Sequence, residues 1–306
     1  WSSVAVNNAG AVQAQSGRLR LAKGGTSSGS YNATAGAILD FGGGTHTISL
    51  TAASSIGGGG TVRFSSGDTT IGGSGSYAVD GNTDITGGTL NVNLGGTTAN
   101  LTFSGGTLSG SGGITVTGWM TWTNGTQSGS GATTIASGAV LTITANGDCV
   151  YTSGTQLTGR TLNVAGTATL SGTNSLCAQS GTINNSGLFD IVRDVNVWWN
   201  GGSSAVLNNT GTLRKSGGTG TSEWSSVAVN NAGTVQAQSG RLRLAKGGTS
   251  SGSYTATPGA TLDFGGDTHT INLSAASSIG GGGTVRFSAG NTTLSGSGSY
   301  AVDGNT

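Results

Sequence analysis

This chain repeats itself at long range, and that constrains its fold more than any other feature. Residues 1–83 return almost verbatim as residues 224–306, an offset of 223, with about a dozen substitutions between the copies. WSSVAVNNAG opens each copy and SYAVDGNT closes it. A chain of this kind builds units that contact their sequence neighbours and extends instead of closing around one core. It therefore divides into one full long repeat over 1–223 and the start of the next, nearly identical one over 224–306. Opening on Trp1 and ending in mid-repeat, the sequence reads as a window on a longer polymer of repeats.

Within each repeat the local pattern is that of strands. Apolar and polar residues alternate in Leu19-Arg20-Leu21, Leu39-Asp40-Phe41, Val62-Arg63-Phe64, Leu90-Asn91-Val92-Asn93-Leu94, Ile114-Thr115-Val116 and Leu141-Thr142-Ile143. A period of two belongs to a strand with one buried face. No stretch sustains helical spacing, and the 61 glycines would weaken a helix at each occurrence. GG, GSG, NG and NNxG mark turns. The two copies test the phase of this alternation. Ile38, Ser49 and Thr51 become Thr261, Asn272 and Ser274, while Leu39, Phe41, Ile48 and Leu50 return unchanged as Leu262, Phe264, Ile271 and Leu273. Change falls mostly on the side expected to face water, and the inward change, Ile71 to Leu294, swaps one apolar residue for another, which a packed core tolerates.

A shorter period lies inside the long one. Leu39, Ile48 and Ile56 are answered by Val62, Ile71 and Val79 at one constant offset, and the NNxG turns at Asn184, Asn208 and Asn230 follow one another at nearly the same spacing. A coil of roughly 20–24 residues with two or three short strands predicts an all-β fold, a parallel β-solenoid whose strands pair with their equivalents one coil on. A repeat of about ten coils at roughly 4.8 Å each would advance about 50 Å. A β-sandwich array is the alternative, but it does not require the sub-period.

Composition excludes several partners. Charged residues are 8% and the net charge is +1, so there is no long-range attraction to nucleic acid or acidic lipid. The strong apolar pattern separates the chain from disordered Gly/Ser-rich sequence. No apolar run is long enough to span a membrane as a helix.

VNNAGTVQAQSGRLRL (229–244) and its copy at 6–21 resemble the N-x-G-x-[VIL]-x-A-x-x-G-x-L-x-L rhythm of filamentous haemagglutinin-type repeats, and LNNTGTLRKSGG and INNSGLFDI follow it. Such repeats occur in large secreted adhesins and autotransporter passengers of bacterial surfaces. The resemblance implies a right-handed β-helix exported to the cell surface; it covers about half the chain and carries over no functional residue. The long, nearly identical unit departs from typical members and favours a filament or stalk.

Candidate sites are few. Cys149 and Cys177 either pair across neighbouring turns or are two small buried residues. Asp80, Asn82 and Asp84 in DGNTDITGG place oxygen ligands at alternate positions, as a Ca²⁺ loop does, but no Glu follows at the twelfth position, and a polar turn is the plainer reading. Arg20, Asp40 and Arg63 occupy equivalent outward positions and predict a salt-bridged ladder. The Asn pairs predict stacked amides. His46 and its copy His269 are expected on the outside or in a turn. Trp119 should point outward, since Met120 and Trp122 share the face of Ile114 and Val116, and one ring of Trp198-Trp199 must do the same. These three tryptophans are the candidate ligand or lateral contacts.

The expected function is that of a structural, extracellular, secreted repeat protein forming a filament, stalk or matrix fibre, with other copies of itself as partners and no cofactor. The alternative is a surface adhesin that binds glycans or a solid surface. A polysaccharide-cleaving β-helix comes last, because its acid and base would have to be drawn from carboxylates scattered over many coils.

Overall fold

The computed structural model describes residues 3–147, 149, 154–198, 201–225 and 227–306. Among them the chain forms thirty-six strands and no helix. The fold is an all-β parallel solenoid of about 14 turns with about 21 residues per turn. Two compact units divide it, Trp1–Leu141 with Thr158–Thr161, and Thr142–Leu157 with Leu162–Thr306.

In the first unit an inward column runs through Leu19, Leu39, Val62, Thr83, Leu101 and Met120, each in register with the next. The steps along the chain are uneven, longest from Leu39 to Val62 and shortest from Thr83 to Leu101. Unequal coils thus stack in register, because the turns absorb the difference while a one-residue slip within a strand would turn its apolar set to water. The expected constant offset holds for Leu39–Val62 and Ile48–Ile71. It fails for Ile56, which pairs with Tyr77 and not Val79. The path from Ile71 to Tyr77 is shorter than that from Ile48 to Ile56, so the third strand of the coil arrives early.

The core follows the alternation. Leu39, Phe41, Ile48, Leu50 and Phe64 are buried, whereas Ser49 and Thr51 are exposed and Ile38 is half-buried. Phe41 stacks on Phe64 at 5.4 Å and receives Tyr31 edge-on at 5.2 Å. The second unit builds the same cluster from Phe264, Phe287 and Tyr254. Each fully buried ring contributes about 1.5–3 kcal/mol of transfer free energy. Gly96 completes the packing below Tyr77: a Cβ there would lie 2.9 Å from the Tyr77 Cβ.

Coils of the second unit are three-sided. Strands Ala205–Asn209, Thr212–Lys215 and Thr221–Trp224 lie in register on Val227–Asn231, Thr234–Ala237 and Arg241–Leu244. The NNxG turns supply two amide ladders here. Outside, Asn208 donates to Asn184 at 3.0 Å and Asn230 donates to Asn208 at 3.1 Å. Inside, Asn185 donates to Asn209 at 2.7 Å and Asn209 donates to Asn231 at 2.8 Å.

Candidate functional site

The duplicated segment is scaffold. Arg20, Asp40 and Arg63 stand in register as expected, and Asp84, just past the duplicated segment, continues the column; the ion pairs in it join Arg20 to Asp40 and Arg63 to Asp84. Asp40 accepts from Arg18 through Nε at 2.9 Å and lies 3.6 Å from the Arg20 Nε, and Arg63 Nε donates to Asp84 at 2.6 Å. Asp40 is fully buried although it points away from the core, because the arginines of adjoining coils roof it. The second unit repeats the column as Glu223, Arg243, Asp263 and Arg286.

His46 corrects the sequence expectation. It is buried, packs edge-on against Phe41 at 5.2 Å, and donates from Nε2 to the Leu21 carbonyl at 2.9 Å. Burial holds its pKa below the ordinary value, against the opposing effect of the backbone hydrogen bonds. His269 repeats this arrangement. The pair fills the corner after Phe41 and Phe264, and neither ring reaches solvent.

Asp80, Asn82 and Asp84 do not converge. Strand Ser76–Ile85 turns a corner within this run, pairing first with Ser55–Gly58 and then with Thr61–Phe64. Asp80 is left exposed before the corner, and Asp84 beyond it is committed to Arg63. No group of three or more His, Cys, Asp or Glu that could hold a metal ion occurs among the described residues.

Trp119 stands on an open strand face of the first unit, 44% exposed, while Met120 and Trp122 are buried. Its backbone N–H donates to the Asn100 side chain at 3.2 Å, and Asn100 continues in register to Asn82. The indole is therefore a flat apolar platform bordered by amides.

In the second unit the remaining candidates come together. Cys149 and Cys177 are joined by a disulfide, with Cα atoms 5.5 Å apart. Cys177 lies opposite Trp198 in the parallel ladder. Trp198 is half-buried, while Trp199 lies outside the described residues. Trp198, Cys149, Asn174, Asp194 and Asn196 line a cleft of about 400 Å³. A neighbouring cleft of about 840 Å³ shares Thr173, Asp194 and Val195 with it. The lining residues come from successive coils.

One group in this corner was not anticipated. Lys215 is fully buried under the 192–196 loop and donates to Asp194 Oδ1 at 2.8 Å and to the Gly217 carbonyl at 2.6 Å. The Lys215 hydrogen bond, helped by the N–H groups of Gly220 and Thr219, holds the Asp194 carboxyl below its usual pKa. Asp194 is ionised at neutral pH, and its loop is pinned from beneath. A sequence signal existed: in Leu213-Arg214-Lys215 the alternation that buries Leu213 also turns Lys215 inward.

Among the described residues no helix is long and apolar enough to cross a membrane. Comparison with known proteins gives no match, neither to a family model, nor to a curated protein, nor to a solved structure.

Proposed function

We propose that this chain is part of a secreted structural repeat protein of a bacterial surface, of the filamentous haemagglutinin-like kind, and that its repeats build an extracellular filament, stalk or matrix fibre without enzymatic activity. The observation that supports this most is the duplicated scaffold itself. The two copies keep the same buried column and the same charge ladder, so the sequence has preserved stackable coils and let outward positions drift.

Partners in this reading are further copies of the chain. The surface carries little net charge to hold copies apart. Trp119 presents an apolar platform that would recur once per repeat, and repeated weak contacts gain by avidity. Sedimentation and negative-stain imaging of the full chain, beside Trp119→Ser, test this. Fibres that thin or disappear in the variant support lateral association. Particles that never extend defeat the filament reading, and unchanged bundling makes Trp119 irrelevant to it. Surface labelling of intact producing cells tests export, and incubation with polysaccharides, expected to leave them intact, tests the absence of cleavage.

The adhesive alternative is favoured by one observation, the cleft at Trp198. A ring recessed among corner loops is poorly placed for a flat contact between copies and well placed for a small ligand.

A further inference from the structure

The cleft at Trp198 has the make-up of a ligand site. Apart from Trp198, Val195, Gly147 and the disulfide-bonded Cys149, its lining is polar: Asn174, Thr173, Ser175, Asn196 and Asp194 face it. Asn174 and Thr173 are exposed, leaving their side chains for a ligand. Asn196 uses its Oδ1 to accept from the Glu223 backbone N–H at 2.8 Å, which orients the side chain and leaves its N–H₂ for a further partner. An apolar ligand would strand these groups without hydrogen bonds, at a cost of about 1–3 kcal/mol each.

Charge narrows the choice. Lys215 is buried beneath the floor and cannot reach a ligand. The charged side chain lining this cleft is Asp194, and its charge is offset by the ion pair with Lys215 beneath it. The site thus offers one aromatic face, several amide and hydroxyl groups, and no net charge. A pyranose ring has the complementary surface, an apolar C–H face that stacks on an indole and a rim of hydroxyls that both donate and accept. The Cys149–Cys177 disulfide and the Lys215–Asp194 pair tether Cys149 and Asp194 of the lining before a ligand arrives, which lowers the ordering cost of binding.

We propose that this cleft is a saccharide-binding site that takes an uncharged pyranose unit, seated on Trp198 and held through Asn174, Thr173 and Asn196, with Asp194 as a positioning residue. The proposal names a ligand class for the adhesive side of the reading above and rests on it.

The test is calorimetric titration of the full chain with neutral oligosaccharides of glucose, mannose, galactose and N-acetylglucosamine, and with oligogalacturonate as the anionic control. At least one neutral oligomer is expected to bind, with about a tenfold loss of affinity in Trp198→Ala. Trp198→Phe should keep part of the affinity, and Trp119→Ala all of it. Asn174 is exposed, so Asn174→Ala should fold normally and bind several-fold more weakly, which keeps the test sound if Trp198→Ala misfolds. Absence of binding to every neutral oligomer, binding indifferent to both Trp198 and Asn174, or a preference for the uronate overturns the proposal. Fibre formation read by sedimentation on the same samples is unaffected by any of these outcomes, so failure of the saccharide site and failure of the filament reading are told apart.

Discussion

Asn208 and Asn209 are adjacent residues of the same type, and the fold gives them unequal importance. Asn209 is 1% exposed. Its Nδ2 donates to the Asn231 side chain at 2.8 Å, the Thr234 carbonyl at 3.0 Å and the Gly211 carbonyl at 3.2 Å, and its Oδ1 accepts from Asn185 at 2.7 Å. Asn209→Ala removes all four. Asn185 keeps its bond to the Thr212 carbonyl and Asn231 keeps the one from Gly233, so the neighbours are weakened and not fully orphaned. At about 0.5–1.5 kcal/mol net per bond, with a small cavity added, the expected loss is about 3 kcal/mol. Asn208 lies in the half-exposed outer ladder, where water replaces a lost amide, so Asn208→Ala should cost under about 1 kcal/mol. Urea unfolding followed by far-ultraviolet circular dichroism reads both variants. Because solenoid coils can unfold in blocks, amide hydrogen exchange of strands 205–209 and 227–231 supplies the local measurement. Equal losses at the two positions would refute the argument, since they would mean that the inner ladder gains nothing from burial.

Three further outcomes are expected from buried groups. Burial depresses the folded-state pKa of His46 and His269, so the stability they contribute is complete above the unfolded value of about 6.5 and is lost as pH falls from there through the lower folded value. The slope should reach about 1.4 kcal/mol per pH unit for each imidazole, and His46→Gln with His269→Gln should flatten it in urea midpoints taken across pH 7 to 5. Arg160, pushed down to about 10 by burial, donates to the carbonyls of Gly112, Ser128 and Ala132 and to Thr133. A lysine cannot reproduce that fork, so Arg160→Lys should lower stability by about 2–4 kcal/mol in the same assay. Replacing Cys149 and Cys177 by serine opens the loop between them, a sequence separation of 28, and should cost about 3.6 kcal/mol by loop-closure entropy, read as a lowered thermal midpoint.

The strand phase was legible because burial and alternation are the same physical fact. Ile38 and Leu39 sort correctly, as do Trp119, Met120 and Trp122. The solenoid was legible from two independent periods. What escaped the sequence depends on how chain segments meet. Ile56 pairs with Tyr77 because a turn shortens, and no count of spacing reveals which of three turns will do so. His46 went inward because its imidazole can give one N–H to the Leu21 carbonyl while its ring packs on Phe41. Asp40 reads as outward and is outward, yet it is buried, because its cover comes from arginines one coil away. The cleft was the least legible feature: Trp198, Cys149 and Cys177 stand out individually, but nothing in the spacing of Asp194 and Lys215 shows that they meet.

The clefts and the duplicated scaffold stand in a useful relation. All residues lining the clefts at Trp198 and Asp194 fall between Thr144 and Gly218, outside the segment that recurs within this chain, so its one complete repeat carries one such corner. A tandem of two complete repeats would hold two, carried on coils whose register is fixed by buried ladders. A shallow polar saccharide site is a weak one, and a dissociation constant of about 1 mM corresponds to only about −4.1 kcal/mol. Two such sites on one chain convert the second binding event into an intramolecular one, with gains of about 10²–10⁴ when a ligand can span them. Binding to a surface densely coated with a neutral polysaccharide should therefore rise far more than twofold from one repeat to two, while affinity for a short soluble oligosaccharide, measured per cleft, should not change. Surface plasmon resonance on immobilised polysaccharide, beside calorimetry with the oligomer, measures the two quantities. A tandem that gains no more than twofold on the coated surface would show that the clefts cannot engage together.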